Sequence, residues 1–267
     1  MAMHYIWKEW KENIRGKGLW LSFGIVILVS AIILYKSTIL SFDQGFYILL
    51  LNLFDSMIYF IPILCLFLGA FSIFQEKEQK TLVMLLTRNE CYSSFLLKKS
   101  LAIQVVLAGP LFIWFLIYIL PIKFYFQLDG KHYAVFLISL LTLMLVFNQF
   151  GILIGSLSRS RMQIVGYAIL TWFYFFFLHD FLMLTLLPYI TYENVKLFSI
   201  AYFFNPLHAS RIFLETGLEV YSFGHMSKLL KSFMWVKPGF FLSGNAVLLL
   251  LFSFLLAVTF HRKEDSD

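Results

Sequence analysis

FQEKEQKTLVMLLTRNECYSSFLLKK, residues 74–99, is a charged stretch enclosed between two long apolar runs. Glu76, Lys77, Glu78 and Lys80 come first. Thr81 follows, and then Leu82, Val83, Leu85 and Leu86, which fall on one stripe of a helix with 3.6 residues per turn. The segment reads as the exit of one membrane span, a short amphipathic helix at the bilayer surface, and the start of the next span. A plain solvated loop is the competing reading, because most charge runs are solvated. A surface helix between two spans is what a membrane subunit needs if a soluble protein is to push on it.

Outward from this hinge the chain is apolar almost everywhere. Of 267 residues 60% are hydrophobic and 13% charged, at a mean hydropathy of +0.81, whereas soluble domains carry roughly 25% charged residues. A span needs about 20 apolar residues, and six candidates meet that length approximately: 19–35, 46–74, 100–122, 134–157, 164–188 and 239–260. The expected fold is an all-α integral membrane protein. Residues 1–267 form one transmembrane domain, with an interfacial N-terminal helix, an amphipathic coupling helix between spans 2 and 3, and an outer helical segment between spans 5 and 6. A barrel is excluded because the apolar runs are continuous and lack alternation. No cleavable signal peptide is expected, since the first apolar run follows a charged helical segment without a small-residue cleavage site.

With the N-terminus inside, the inner segments hold Lys8, Lys11, Arg15, Lys17, Lys77, Lys80, Arg88, Lys98, Lys99, Arg159, Arg161, Arg262 and Lys263. The other Lys and Arg residues are fewer, and most lie in the long segment after span 5, where charge governs orientation weakly. Both termini are therefore expected in the cytoplasm of a multi-pass cell-membrane protein. The net charge of +6 reads as topology and lipid anchoring, not nucleic-acid binding. Cys65 lies in a span and Cys91 in an inner loop, so no disulfide is expected.

The N-terminal segment places Ile6, Trp7, Trp10 and Ile14 on one helical face, opposite Lys8, Lys11, Glu12 and Arg15, with Gly16 and Gly18 as breakers. Span 4 carries Asn148 and Gln149 before Gly151 and Gly155, a GxxxG that admits a close neighbour, either internal or a second copy. Ser158, Arg159 and Arg161 make a turn so short that spans 4 and 5 must be antiparallel neighbours. In the outer segment Asn205 is an N-cap and Pro206 the first helical residue. The helix is expected to run to Gly217, with Arg211 and Glu215 as an i, i+4 pair.

The chain has no GxxxxGK[ST], HExxH or GxSxG. It is not expected to be an enzyme or to bind a cofactor itself. Asp55 and Asp180 are the carboxylates inside spans, where charge is expensive enough to suggest function. Asp180 is expected to be buried and paired with a cation, Arg211 first and Lys196 second; cargo recognition or proton relay is the alternative. His179, Met183 and His208 have donors suited to a soft metal, but their spacing is unspecific, and no metal site is assigned.

The hinge resembles the first coupling segment of ABC-2 type permeases: an acidic and basic cluster, Gly-Thr-Leu, a Leu-Leu pair, and later Leu-Gly-Lys. Glu76, Glu78, Thr81, Leu82, Leu85, Leu86, Leu97 and Lys99 match it, while Lys80, Asn89 and Lys98 depart from it. The order of elements along the whole chain is similar as well. Residues 156–181, SLSRSRMQIVGYAILTWFYFFFLHDF, and the Asn205-Pro206 element resemble the permease of the nitrous oxide reductase maturation system (NosY-like). The resemblance implies a homodimer on two copies of an ABC ATP-binding subunit that holds ATP and Mg. Residues 76–86 and 158–161 would receive that subunit. It also implies export or mechanical actuation, with an outer copper-delivery protein as a possible partner. A general exporter of peptide, lipid or drug is the nearest alternative. An ion-coupled carrier using Asp180 or Asp55 belongs to another class and predicts internal repeats, which the chain lacks.

Overall fold

Phe42–Glu78 forms a single helix of 37 residues, roughly 55 Å long at 1.5 Å per residue. The hydrocarbon layer is about 30 Å thick, so this helix must project beyond it. The computed structural model describes residues 2–39, 42–79, 91–219 and 232–264, and among them all regular structure is helical. In chain order the helices are α1 (Ala2–Arg15), α2 (Lys17–Ser37), α3 (Phe42–Glu78), α4 (Tyr92–Tyr125), α5 (Gly130–Leu157), α6 (Arg161–Phe173), α7 (His179–Leu186), α8 (Val195–Phe203), α9 (Pro206–Gly217) and α10 (Pro238–Glu264). A π turn, Tyr174–Leu178, joins α6 to α7 as one bent span, and a 3₁₀ turn, Leu187–Tyr189, ends it.

Six helical stretches are long and apolar enough to cross a membrane, as expected: Gly18–Ser37, Gly45–Glu78, Tyr92–Tyr125, Gly130–Leu157, Arg161–Tyr189 and Pro238–Phe260. The third begins eight residues before the expected 100, because Ser93, Ser94, Lys98 and Lys99 break the hydropathy of the run without breaking its helix. Only Gly16 interrupts the N-terminal segment. Helix α2 already starts at Lys17 and passes through Gly18.

Spans 2 and 4 form the centre, with 56% and 61% of their apolar windows buried, whereas span 5 buries 11%. Glycine makes the central contact possible. A Cβ on Gly151 would meet the Leu66 carbonyl oxygen at 2.6 Å and that of Cys65 at 2.8 Å, and one on Gly155 would collide with Ala70. Gly69 faces Asn148 in the same way. The GxxxG therefore serves an internal helix pair, α3 on α5. Backbone contact this close gains dispersion along the whole crossing, the main attraction between helices in lipid.

Helix α9 starts and ends where the sequence places it. Asn205 Oδ1 accepts the Leu207 N–H at 3.0 Å, Pro206 is the first helical residue, and Gly217 is the last. Helices α8 and α9 fold back against the outer end of span 5 and the start of span 6, around Phe203, Ala209 and Leu242.

Candidate functional site

At the end of the bundle that the Lys and Arg distribution assigns to the inside, called the inner end, three elements meet on one buried ammonium group. Lys99, one turn into the apolar part of α4, is 1% exposed and donates to Glu9 Oε1 and, at 2.9 Å, to Glu76 Oε1. Glu9 and Glu76 are themselves 1% and 3% exposed. Ser72 Oγ donates to Glu9 Oε2 at 2.9 Å, and Lys8 Nζ donates to Glu76 Oε1 at 2.7 Å. With Glu12, whose carboxylate lies 3.8 Å from Lys8 Nζ, three carboxylates face two ammonium groups, and each of the buried ions Glu9, Glu76 and Lys99 is paired and hydrogen-bonded. That is the condition under which buried ions are tolerated. Burial opposes the Lys8 charge, but the hydrogen bond to Glu76 and the carboxylates of Glu12 and Glu9 outweigh it and hold its pKa above the ordinary value.

The cluster corrects one expectation. Glu76 is not an exposed charge offered to a soluble subunit; it is buried, and it ties α1 to the inner ends of spans 2 and 3. The physical reason lies in α1, whose Glu9 faces the bundle although the helical face reads as mixed. Of the apolar residues expected to lead, Trp7 is 69% exposed, whereas Trp10 packs against the core.

Just beyond this cluster the end of α3 reaches the 4–5 turn. Lys77 Nζ donates to the Ser156 carbonyl, where α5 ends with unsatisfied backbone oxygens. Glu78 pairs with Arg161 at 2.8 Å on the surface. Ser158 is buried and its hydroxyl donates to Ile154 O, while Ser160 caps α6 by accepting from Gln163 N. Arg159 is exposed, and its backbone N–H donates to Gln163 Oε1 at 2.7 Å. The two inner segments singled out in the sequence therefore touch each other. Lys80, Thr81, Leu82, Leu85 and Leu86 lie outside the described residues.

At the outer end the intramembrane carboxylates find other partners than expected. Asp180 Oδ1 accepts from His208 Nε2 at 2.6 Å. Arg211 pairs instead with Asp55 at 3.1 Å and with Glu215 at 3.2 Å, the second being the expected i, i+4 pair. His208 lies nearly one turn before Arg211 on α9 and so comes first to span 5, which leaves Arg211 opposite span 2. Asp180 is also not buried: its side chain is 46% exposed.

Asn205 and His179 fasten α9 to span 5. A π turn leaves one carbonyl without its usual helical partner, and such turns recur at functional places. Asn205 Nδ2 donates to Phe175 O at 2.8 Å and to His179 Nδ1 at 3.2 Å. His179 Nε2 in turn donates to Ala201 O at 3.1 Å. With both ring nitrogens engaged, His179 does not offer a metal a free donor, although its ligand atom lies near those of Asp180 and His208. His208 stacks on Tyr202 with ring centres 4.2 Å apart. Burial pushes its pKa below the ordinary imidazole value; Asp180 offsets this in part, and His179 and Arg211 add to the lowering.

Within span 4, Gln149 Oε1 accepts from Ser100 Oγ at 2.6 Å, and Asn148 is buried against Gly69. Sequence reasoning missed Glu9 and the His179–Asn205 link. A Glu in a helix packed beside Trp10, and an Asn-Pro cap following a His-Asp pair, were the signals on offer.

An interfacial helix, six spans and an inner end cross-braced by buried ions define a polytopic helical membrane subunit. The ABC-2 family transporter protein family matches residues 3–264, so the chain belongs to that family. No curated protein matches it significantly.

Proposed function

We propose that the chain is the permease of an ATP-driven transporter and works as a homodimer on two copies of an ATP-binding cassette subunit, with both termini in the cytoplasm. The observation that carries this reading is the buried Glu9–Lys99–Glu76 cluster beside the Lys77–Ser156 and Glu78–Arg161 contacts. Through it, force applied to the segment after α3 reaches α1 and spans 2 to 5 as one body, the linkage that a cassette's closing motion requires. No catalytic role is assigned to the chain. ATP and Mg belong to the partner, and closed twofold symmetry is the commonest way to match two cassettes.

Cargo follows from less. The resemblance to the nitrous oxide reductase maturation permease rests on the 157–161 turn, Trp172, Asp180 and the Asn205-Pro206 cap. It favours mechanical actuation of an outer copper-delivery protein, with general export of a peptide, lipid or drug as the alternative. A carrier driven by ions through Asp55 or Asp180 would run without a cassette. The discriminating experiment co-expresses the chain with the cassette subunit and introduces single cysteines at Lys77, Glu78 and Arg159 for cross-linking to it. ATP-sensitive cross-links are expected. If none of the three forms in a complex that hydrolyses ATP, the docking assignment fails; if transport runs on an ion gradient without ATP, the permease reading fails.

A further inference from the structure

Between span 5 and the outer helices lies a chamber of about 440 Å³, within the range of small-molecule sites, about 300–1,000 Å³. Its walls are Met183, Phe198, Tyr202, Ile212 and Phe233, with the Asp180–His208 pair as its titratable polar edge. We propose that this chamber binds an organic cation whose charge is flanked by apolar or aromatic groups.

Charge complementarity carries the inference. Asp180 receives a hydrogen bond from an imidazole, and among the described residues no Lys or Arg forms an ion pair with it. The nearby cations are committed elsewhere: Arg211 to Asp55 and Glu215, and Lys196 over the Trp235 ring at 5.9 Å. Burial opposes a positive charge on the His208 ring. Asp180 is half exposed at the rim of the chamber and forms no Lys or Arg ion pair among the described residues, so a cation is the ligand whose charge complements it. Tyr202, Phe198 and Phe233 supply ring faces, and a cation over an aromatic face gains further when desolvated. An anion would meet Asp180, and a neutral apolar molecule would leave it unpaired.

A metal ion is the rival cation, and the donors argue against it. His179 has both ring nitrogens hydrogen-bonded, leaving one carboxylate oxygen, one imidazole and the Met183 thioether at the chamber. Zinc is held by Cys, His and carboxylate ligands and calcium or magnesium by oxygens, so Met183 serves none of them, and a softer ion that accepts a thioether would have to break the 2.6 Å bond between His208 and Asp180 to gather the three donors. The inference does not depend on the permease reading, since the chamber is built from one chain and its occupancy is measured without ATP.

The test is equilibrium binding of radiolabelled tetraphenylphosphonium to the full-length protein in lipid nanodiscs. Saturable binding is expected, with no competition from tetraphenylborate, an anion of the same shape. Asp180→Asn should weaken it about tenfold or more, the equivalent of about 1.4 kcal/mol, while Glu193→Gln, an exposed carboxylate outside the chamber, should not. Ile212→Trp, which fills the chamber and keeps Asp180, should abolish binding and serves if Asp180→Asn fails to assemble. Absence of saturable binding, equal competition by tetraphenylborate, full affinity in both variants, or displacement by micromolar zinc or copper would each overturn the proposal.

Discussion

The two ends of the molecule treat charge in opposite ways. At the inner end Glu9, Glu76 and Lys99 are withdrawn from solvent and satisfied by one another. At the outer end Asp55, Asp180 and Arg211 are about half exposed, at 44%, 46% and 51%, and line cavities. A buried, mutually paired and hydrogen-bonded cluster has one good arrangement and resists deformation, because pulling Lys99 away leaves a buried charge without its partner. Half-exposed pairs are screened and can exchange partners at little cost. The inner end is thus stiff enough to carry the displacement that the proposed permease role requires, and the outer end is free to rearrange.

The contrast is broken most directly at Lys99. Lys99→Met should strand Glu9 and leave Glu76 with only the half-exposed Lys8, and should cost on the order of 3–5 kcal/mol, seen as loss of folded yield or a large fall in melting temperature in detergent. The triple variant Glu9→Gln, Glu76→Gln, Lys99→Met should recover most of that loss. A single variant that melts like the wild type would show that the cluster is not a structural unit.

A smaller effect is expected from Asn205→Ala, which removes the cap of α9 together with the bonds to Phe175 O and His179. The cap alone is worth about 1 kcal/mol, so the loss should be near 1–3 kcal/mol and confined to the outer unit. Hydrogen exchange should rise in α9 and in 174–179 and stay unchanged around Glu9 and Lys99. Exchange that rises equally at both ends would remove the distinction between them.

The same unit should weaken in acid while the inner end does not follow the imidazole range. Its pKa held below the ordinary 6.5, His208 stays neutral in the folded protein where the unfolded imidazole already binds a proton. The unfolded state then takes up more protons, so this contribution is complete above about pH 6.5 and is lost as pH falls below it. Asp180, His179, Arg211 and Tyr202 face that ring and set how far it shifts. Local exchange in α9 that is flat from pH 8 to pH 5, or that is highest at pH 8, would contradict the assignment. Least of all should follow from Glu78→Ala or Arg161→Ala: a solvent-exposed ion pair is screened, so both variants should melt like the wild type, and a marked fall in melting temperature would give the inner surface a structural role it shares with the buried cluster.

Span number, the 4–5 turn and the Asn205-Pro206 to Gly217 helix were legible because each depends on local physics. Twenty apolar residues must cross, Ser158 to Arg161 is too short for anything but a reversal, and an Asn-Pro pair sets a helix start within its own turn. Partner choice was not legible. Asp180 and Arg211 both had to be paired, but whether Asp180 met residue 208 or 211 depended on the rotation of α9 against span 5, which a π turn and Asn205 set together. Glu76 looked like surface charge for the same reason. Its burial needs Lys99, 23 residues on, and Glu9, 67 residues back, to arrive at one point. Sequence alone determined that these side chains would lie at the end of an apolar span and that the chain would span the membrane, since transfer free energy acts residue by residue. Only the tertiary structure decided which charges are buried together and which are left facing a chamber, because that follows from distances between helices that no local pattern encodes.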